Sequence, residues 1–222
     1  MRLLGHRGAR HDAPENTLLG IRHALENGMS GIEIDIHRSS DGELMVIHDF
    51  TLERTTNGIG EVSTKTKSEL KSLDAGKGET IPTLREVINL TYEKALLFIE
   101  IKGDGCEVEL VKLLAEFNSK WFVLKSFNHR FLKNINQLNK SLKLATLFVG
   151  LPVDPVSIVK SCGAEAISIP LDYLDKELVE LCHHNGIEVC SWNCNDRAEL
   201  LKIEKTGVDW VGTDCPSKMS KR

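Results

Sequence analysis

Short apolar runs of β character alternate with helical patterns along almost the whole chain, and charged residues gather where those runs end. No linker, repeat or low-complexity tract divides the 222 residues. Together these observations predict an α/β fold whose parallel sheet closes into a (β/α)8 TIM barrel, a single domain over residues 1–222. A doubly wound sheet accounts for the same alternation and is the structural alternative.

Leu3-Leu4 opens the first strand. From Thr17 to Asn27, Leu18, Ile21, Ala24 and Leu25 recur at helical spacing, and Gly28 ends the helix. Ile32, Ile34 and Ile36 then alternate with Glu33, Asp35 and His37, the period of a strand with one polar face. After a turn at Ser40–Glu43, Leu44–Ile47 reads as an extra hairpin strand. Phe50–Thr80, rich in Thr, Ser, Lys and Gly, reads as a long loop with one helical turn at Ser68–Leu73, and its lysine-bearing part could act as a lid over the mouth. Thr83, with Glu86 three residues on, forms a capping box for the next helix. Strands follow at Leu96–Ile101, Phe122–Phe127, Leu142–Val149, Ala166–Pro170, Glu188–Trp192 and Trp210–Gly212. Between them lie helices at Glu107–Phe117, Arg130–Leu138, Pro155–Ser161, Lys176–His184 and Ala198–Lys205. Too little chain follows Asp214 for a full eighth helix, so the last one is expected to be truncated or missing.

Bulk properties narrow the function. Hydrophobic content of 41% and charged content of 27% suit a soluble globular protein. A net charge of −4 gives no basic face for nucleic acid or an anionic membrane. No run approaches the roughly 18 apolar residues of a membrane span, and the opening Met1-Arg2-Leu3-Leu4 lacks the apolar core of an export signal. The six cysteines are scattered, which favours reduced thiols and a cytoplasmic setting.

In a parallel barrel the active site gathers at the C-terminal ends of the strands. His6 and Arg7 follow the first strand, Glu33 and Asp35 lie on the second, and Glu100 and Lys102 end the third. Phe127 ends a later strand, Trp192 another, and Thr213-Asp214 the last. Residues at i and i+2 of a strand share a face, so Glu33 pairs in direction with Asp35, and Glu100 with Lys102. Three converging carboxylates repel one another, and a divalent cation resolves the conflict. Oxygen-only ligands point to Mg²⁺, Ca²⁺ or Mn²⁺. Arg7 offers a fork of donors suited to phosphate, with Lys102 as a point charge beside it. The plainer reading of Glu100-x-Lys102 is a structural ion pair inside the barrel. Phe127 and Trp192 are either core residues or walls of a small-molecule pocket. Asp214 either takes a rim hydrogen bond or orients a neighbouring catalytic group.

Gly5-His6-Arg7-Gly8, Pro14-Glu15-Asn16-Thr17, Glu33-x-Asp35, His48-Asp49, Glu100-x-Lys102 and Thr213-Asp214 occur in register. In that order and spacing they resemble the glycerophosphodiester phosphodiesterase family, over Gly5 to Pro216, in its small cytoplasmic bacterial form. The resemblance implies a barrel that hydrolyses glycerophosphodiesters to glycerol 3-phosphate and an alcohol with a divalent cation. It implies His6 and His48 as the acid–base pair, Glu33, Asp35 and Glu100 as metal ligands, and Arg7 and Lys102 as phosphate contacts. It also implies attack by the substrate's own glycerol 2-hydroxyl through a cyclic phosphate, with direct attack by water as the competing route. His37 stands where the family pattern more often shows a Gln- or Arg-like residue, and its role is open. Two other functions fit the same residues: phospholipase-D-like cleavage of lysophospholipids, and a non-catalytic barrel that binds a phosphorylated ligand.

Overall fold

The computed structural model describes residues 1–220. Its strands are β1 (Arg2–Gly5), β2 (Gly31–Arg38), β3 (Leu44–Val46), β4 (Leu96–Ile101), β5 (Phe122–Ser126), β6 (Lys143–Leu147), β7 (Ala166–Pro170), β8 (Glu188–Trp192) and β9 (Trp210–Thr213). They hydrogen-bond in the order β1-β9-β8-β7-β6-β5-β4-β2, and β1 pairs with β2 to close the ring. Every pair in that ring is parallel. The closed barrel removes the doubly wound alternative. β3 stands outside as an antiparallel partner of β2, the hairpin expected from Leu44–Ile47.

The helices are α1 (Leu18–Glu26), α2 (Lys67–Lys71), α3 (Leu84–Thr91), α4 (Glu107–Leu114), α5 (His129–Leu138), α6 (Pro155–Ser161), α7 (Lys176–His184), α8 (Arg197–Ile203) and α9 (Pro216–Met219). α9 is the truncated last helix. Local chemistry sets their starts. Thr17, Asp154, Asp175 and Asp196 each accept a backbone N–H at a helix N-terminus. Thr83 and Glu86 form the expected reciprocal capping box of α3. α4 stops at Leu114, short of Phe117, because the chain tightens there into turns such as Glu116 N–H to the Leu113 carbonyl.

Strand alternation divides the interior into two layers. Outward-facing Ile32, Ile34, Ile36, Ile99, Leu124, Leu144, Ile167, Val189 and Val211 pack against the helices in the main core. Inward-facing Leu4, Phe98, Val123, Ala145, Ala166, Cys190 and Trp210 plug the floor of the barrel, with Phe98 edge-on to Trp210 at 5.0 Å between ring centroids. Gly31 makes that plug possible. A Cβ there would lie 2.9 Å from Leu4 Cδ1 and 3.0 Å from Trp210 Cζ3. Above this apolar floor, the next inward positions carry the polar residues of the mouth.

The segment after β3 is more ordered than the expected loop. Met45, Ile47, Leu52, Val62, Leu70 and Ile81 form a separate small core. Thr51 bridges Glu61, and α2, which overlaps the helical turn expected at Ser68–Leu73, is fixed by a Thr66–Glu69 capping box. Among the described residues, no helix is long and apolar enough to cross a membrane.

Candidate active site

His6 and Arg7 sit where β1 ends. Arg7 adopts φ +50°, a left-handed conformation that a residue with a Cβ rarely takes. This turn aims its backbone N–H at Glu33 Oε2, 3.0 Å away. Asn16, also left-handed at φ +55°, returns the loop across β2. Its amide donates to Asp35 Oδ2 at 2.9 Å, and its own oxygen accepts the Asp35 N–H at 3.3 Å. Loop and strand are thus tied together at the two carboxylates.

Glu33, Asp35 and Glu100 offer oxygens that all lie within 4.8 Å of one another, and all three residues are buried. Adjacent strands bring them together, with Asp35 opposite Glu100 in the β2–β4 register. Burial and the negative charge of Asp35 push the Glu100 carboxyl upward. Burial also pushes Glu33 upward, but the Lys125 ammonium and His6 outweigh it and hold its carboxyl at about 2. Lys125 Nζ lies 3.0 Å from Glu33 Oε1, yet that oxygen has no well-aligned hydrogen bond. A compact, buried, all-oxygen group with one poorly satisfied lone pair fits a hard divalent cation, and these three residues could hold one.

Arg7 Nη1 donates to Glu15 at 2.9 Å, and its Nε lies 3.5 Å from Asp35 without a hydrogen bond. Lys102 Nζ donates to Glu100 Oε1 at 2.9 Å and stands 3.8 Å from Asp35 Oδ1. The ion pair weighed for Glu100-x-Lys102 is therefore present, at the edge of the acidic group.

Both histidines are backed by carboxylates. Asp214 Oδ1 accepts from His6 Nδ1 at 2.6 Å, and Asp49 Oδ1 accepts from His48 Nδ1 at 2.5 Å. With Nδ1 committed, each ring has Nε2 left for other work, and that of His6 lies 3.9 Å from Glu33 Oε2. Of the two readings of Asp214, this contact supports orientation of a neighbouring group. Burial lowers the His48 ring's affinity for a proton more than Asp35 and Asp49 restore it. Arg54 spans Asp49 and Glu15 with four hydrogen bonds of 2.5 to 3.0 Å. His37 is buried beside the site and donates Nε2–H to the His48 carbonyl at 3.0 Å, bracing the backbone that carries His48.

A cavity of about 250 Å³ joins these groups at the barrel mouth. His6, Arg7, Glu33, His48, Glu100, Lys102, Phe127 and Trp192 all line it. Asp35 does not line it and lies behind, in the acidic group with Glu33 and Glu100, which do. Phe127 and Trp192 meet edge to face, 6.2 Å between centroids, and the buried Trp192 Nε1 has no hydrogen-bond partner among the described residues.

Sequence reading missed three participants. Lys125, fully enclosed beside Glu33, interrupts the apolar Phe122–Phe127 run, and alternation from Val123 would have placed it inward. Asn16 stands within Pro14-Glu15-Asn16-Thr17, where spacing alone assigns it no role. Asn193 places its side-chain amide 3.0 Å from His6 Nδ1, beside the aspartate that takes the proton there, and nothing in the local sequence signals it.

The profile of the glycerophosphoryl diester phosphodiesterase family matches residues 6–218. The chain is 37% identical to a glycerophosphodiester phosphodiesterase of Caldanaerobacter subterraneus subsp. tengcongensis, over 98% of this chain and 95% of that protein. It is 32% identical to a putative glycerophosphodiester phosphodiesterase of Bacillus subtilis, over 100% and 97% of the two chains. An Oleispira antarctica phosphodiesterase, solved in complex with its product sn-glycerol-3-phosphate, superposes with a TM-score of 0.93 at 29% identity, covering 99% and 95% of the two chains. A glycerophosphodiester phosphodiesterase from Agrobacterium tumefaciens superposes at 0.89, with 28% identity and full coverage of both chains. This chain belongs to the glycerophosphoryl diester phosphodiesterase family.

Proposed function

We propose that this protein hydrolyses glycerophosphodiesters to glycerol 3-phosphate and an alcohol, with His6 and His48 as the acid–base pair and a divalent cation on Glu33, Asp35 and Glu100. The observation that carries the reading is the pair of carboxylate-backed imidazoles lining one cavity with a buried acidic group. General acid–base catalysis needs one group to take a proton from the nucleophile and another to protonate the leaving oxygen. Imidazoles held by Nδ1 through Asp214 and Asp49 can do both from Nε2.

Arg7 and Lys102 bind the non-bridging phosphate oxygens, and Trp192 and Phe127 form the apolar wall for the glycerol carbons. The all-oxygen donor set favours Mg²⁺ or Ca²⁺, with Mn²⁺ as a third choice. Bound there, such an ion supplies positive charge against the charge that develops on phosphate. Asn16 and the Arg7 backbone keep Asp35 and Glu33 in place for it. The nucleophile is the substrate's own 2-hydroxyl, and the cyclic phosphate it forms is then opened by water. The substrate is a small molecule, and six buried free thiols favour a reducing, cytoplasmic compartment.

The test is glycerol 3-phosphate release from a panel of glycerophosphodiesters, with and without EDTA, for the wild type and for His6→Ala and His48→Ala. Each variant should lose more than ~10²-fold in kcat, and EDTA should abolish turnover. Wild-type turnover in either variant removes its histidine from the chemistry. Binding without turnover at saturating ion would leave a phosphate-binding barrel instead.

A further inference from the structure

A second depression of about 320 Å³ opens beside the catalytic cavity, lined by Phe50, Phe127, Phe131, Asn128 and Asp104. Glu100, Lys102 and Phe127 form a wall common to both. The three rings come from three separate segments: Phe50 after β3, Phe127 after β5 and Phe131 in the first turn of α5. Phe50 is 61% exposed and Phe127 42% exposed. Apolar rings left in water at the edge of a reaction cavity are unfavourable for the free protein and point to a ligand. The charges around them differ in availability. Glu100 is neutralised by Lys102 at 2.9 Å, whereas Asp104 is exposed and enters no ion pair among the described residues. Lys102, which also lines this depression, has its ammonium 2.9 Å from Glu100 Oε1 and 3.8 Å from Asp35 Oδ1, on the catalytic side.

We propose that this depression receives the leaving alcohol and selects one that carries a cation, a primary or quaternary ammonium on a short chain, over a neutral polyol. The proposal rests on the phosphodiesterase reading above. With phosphate held at Arg7 and Lys102, the glycerol half lies in the deeper cavity toward Trp192, and the second ester oxygen leads into the aromatic depression. Ring faces attract a cation, more strongly as it loses water. Asp104 adds an unshared negative charge at the same place. A polyol gains little here, because three phenyl rings offer it no hydrogen bonds, Ser126 is already bonded to the Ile101 carbonyl and the Asn128 N–H, and Glu100 and Lys102 hold each other, which leaves Asn128 and Asp104. An acyl chain would fill the rings but would bury the unpaired Asp104, which is unfavourable.

The experiment compares kcat/KM for glycerophosphocholine, its neutral carbon isostere with a 3,3-dimethylbutyl group, and glycerophosphoglycerol, each read as glycerol 3-phosphate released. The isostere keeps the shape of choline and removes only the charge. Choline should exceed the isostere by roughly tenfold, the scale of a partly desolvated cation–π contact. Phe50→Leu and Asp104→Asn are exposed positions, and each should cut that advantage several-fold while leaving glycerophosphoglycerol hydrolysis unchanged. An isostere as good as or better than choline would make the depression an apolar site and overturn the proposal. So would a preference for glycerophosphoglycerol, or variants that slow all three substrates alike. If none of the three is hydrolysed at any ion concentration, the phosphodiesterase reading itself falls. Equal hydrolysis of all three removes only the subsite.

Discussion

Replacing Lys125 by methionine should make the ion-free protein markedly less stable and make a divalent ion the cure. Lys125 Nζ stands 3.0 Å from Glu33 Oε1 in a fully buried setting. At an effective dielectric of about 20, a Coulomb attraction at that distance is about 5 to 6 kcal/mol, partly offset by desolvation of both groups. The pH linkage has the same sign: burial raises the Glu33 carboxyl, and Lys125, with His6 and the Arg7 N–H, outweighs it and holds that carboxyl well below its ordinary 4.5, which favours the folded state at neutral pH. Lys125→Met keeps the volume and removes the charge, so Glu33 faces Asp35 and Glu100 with one cation fewer. Breaking a buried pair from one side costs about 3 to 5 kcal/mol, and 3 kcal/mol corresponds to a fall in Tm of about 6 to 12 °C.

The two proteins should also respond to pH with opposite slopes. In the wild type the depressed Glu33 contributes stability above pH 4.5 that is lost as pH falls toward 2. In Lys125→Met, burial and like charge raise the same carboxyl above 4.5, so its contribution is present at low pH and lost as pH rises through the new value. Urea unfolding in EDTA from pH 3 to 8 reads both curves, the wild type losing the Glu33 contribution below pH 4.5 and the variant losing it as pH rises, so the gap between them should widen with pH. Repeating it with Ca²⁺ or Mg²⁺ should close the gap, because the ion meets less repulsion in the variant and replaces the lost charge. Equal stability in EDTA at pH 8, or a deficit that the ion leaves untouched, would refute the account.

Other substitutions test other links. Asp214→Asn should lower kcat by about 10²-fold or more with little change in KM or Tm, because an amide cannot accept the His6 Nδ1 proton as the carboxylate does; a wild-type kcat would refute it. Arg54→Met should lower stability at pH 7 by about 1 to 2 kcal/mol, discounted for the partial exposure of the network. Glu15, held at about 2 chiefly by Arg54 and Arg7 against its burial, contributes above pH 4.5 and loses that contribution as pH falls toward 2. The deficit should therefore shrink below pH 4.5 in chemical unfolding, and a pH-independent deficit would show that Arg54 acts through packing alone. A diester lacking the glycerol 2-hydroxyl should turn over at least ~10²-fold more slowly; undiminished turnover would remove the cyclic-phosphate route.

What was readable in the chain follows from what period and position can encode. Glu33 and Asp35 betray themselves because two acids alternate with three isoleucines, and a parallel sheet covers both faces of such a strand. Lys125 carries a weaker signature, since alternation from Val123 turns it inward but one lysine in a short run reads as an edge residue until the Glu100–Lys125 register sets it beside Glu33. The Phe50–Thr80 segment looked loose because its small core draws on Met45 and Ile47 before it and Ile81 after it, which no local window joins. Asn193 and Asp214 reach His6 across the closure of the barrel, the longest sequence separation in the site.

The missed lysine also changes how the mouth works electrostatically. Counting only Arg7 and Lys102 against Glu33, Asp35 and Glu100 leaves a surplus of negative charge, a poor place for a phosphodiester anion. Lys125 brings the layer to balance before any ligand arrives, which is how an apolar-floored barrel tolerates six charged side chains. A divalent ion added to that balanced layer creates a positive excess. A diester monoanion cancels it only in part, and a transition state with more charge on its phosphate oxygens cancels it more fully. Charge placed so that it is best neutralised at the top of the barrier favours the transition state over the bound substrate. In the proposed mechanism Lys125 sets the baseline from which that preference is measured, and the ion proposed for the acidic group, with His6 and His48, would act on top of it.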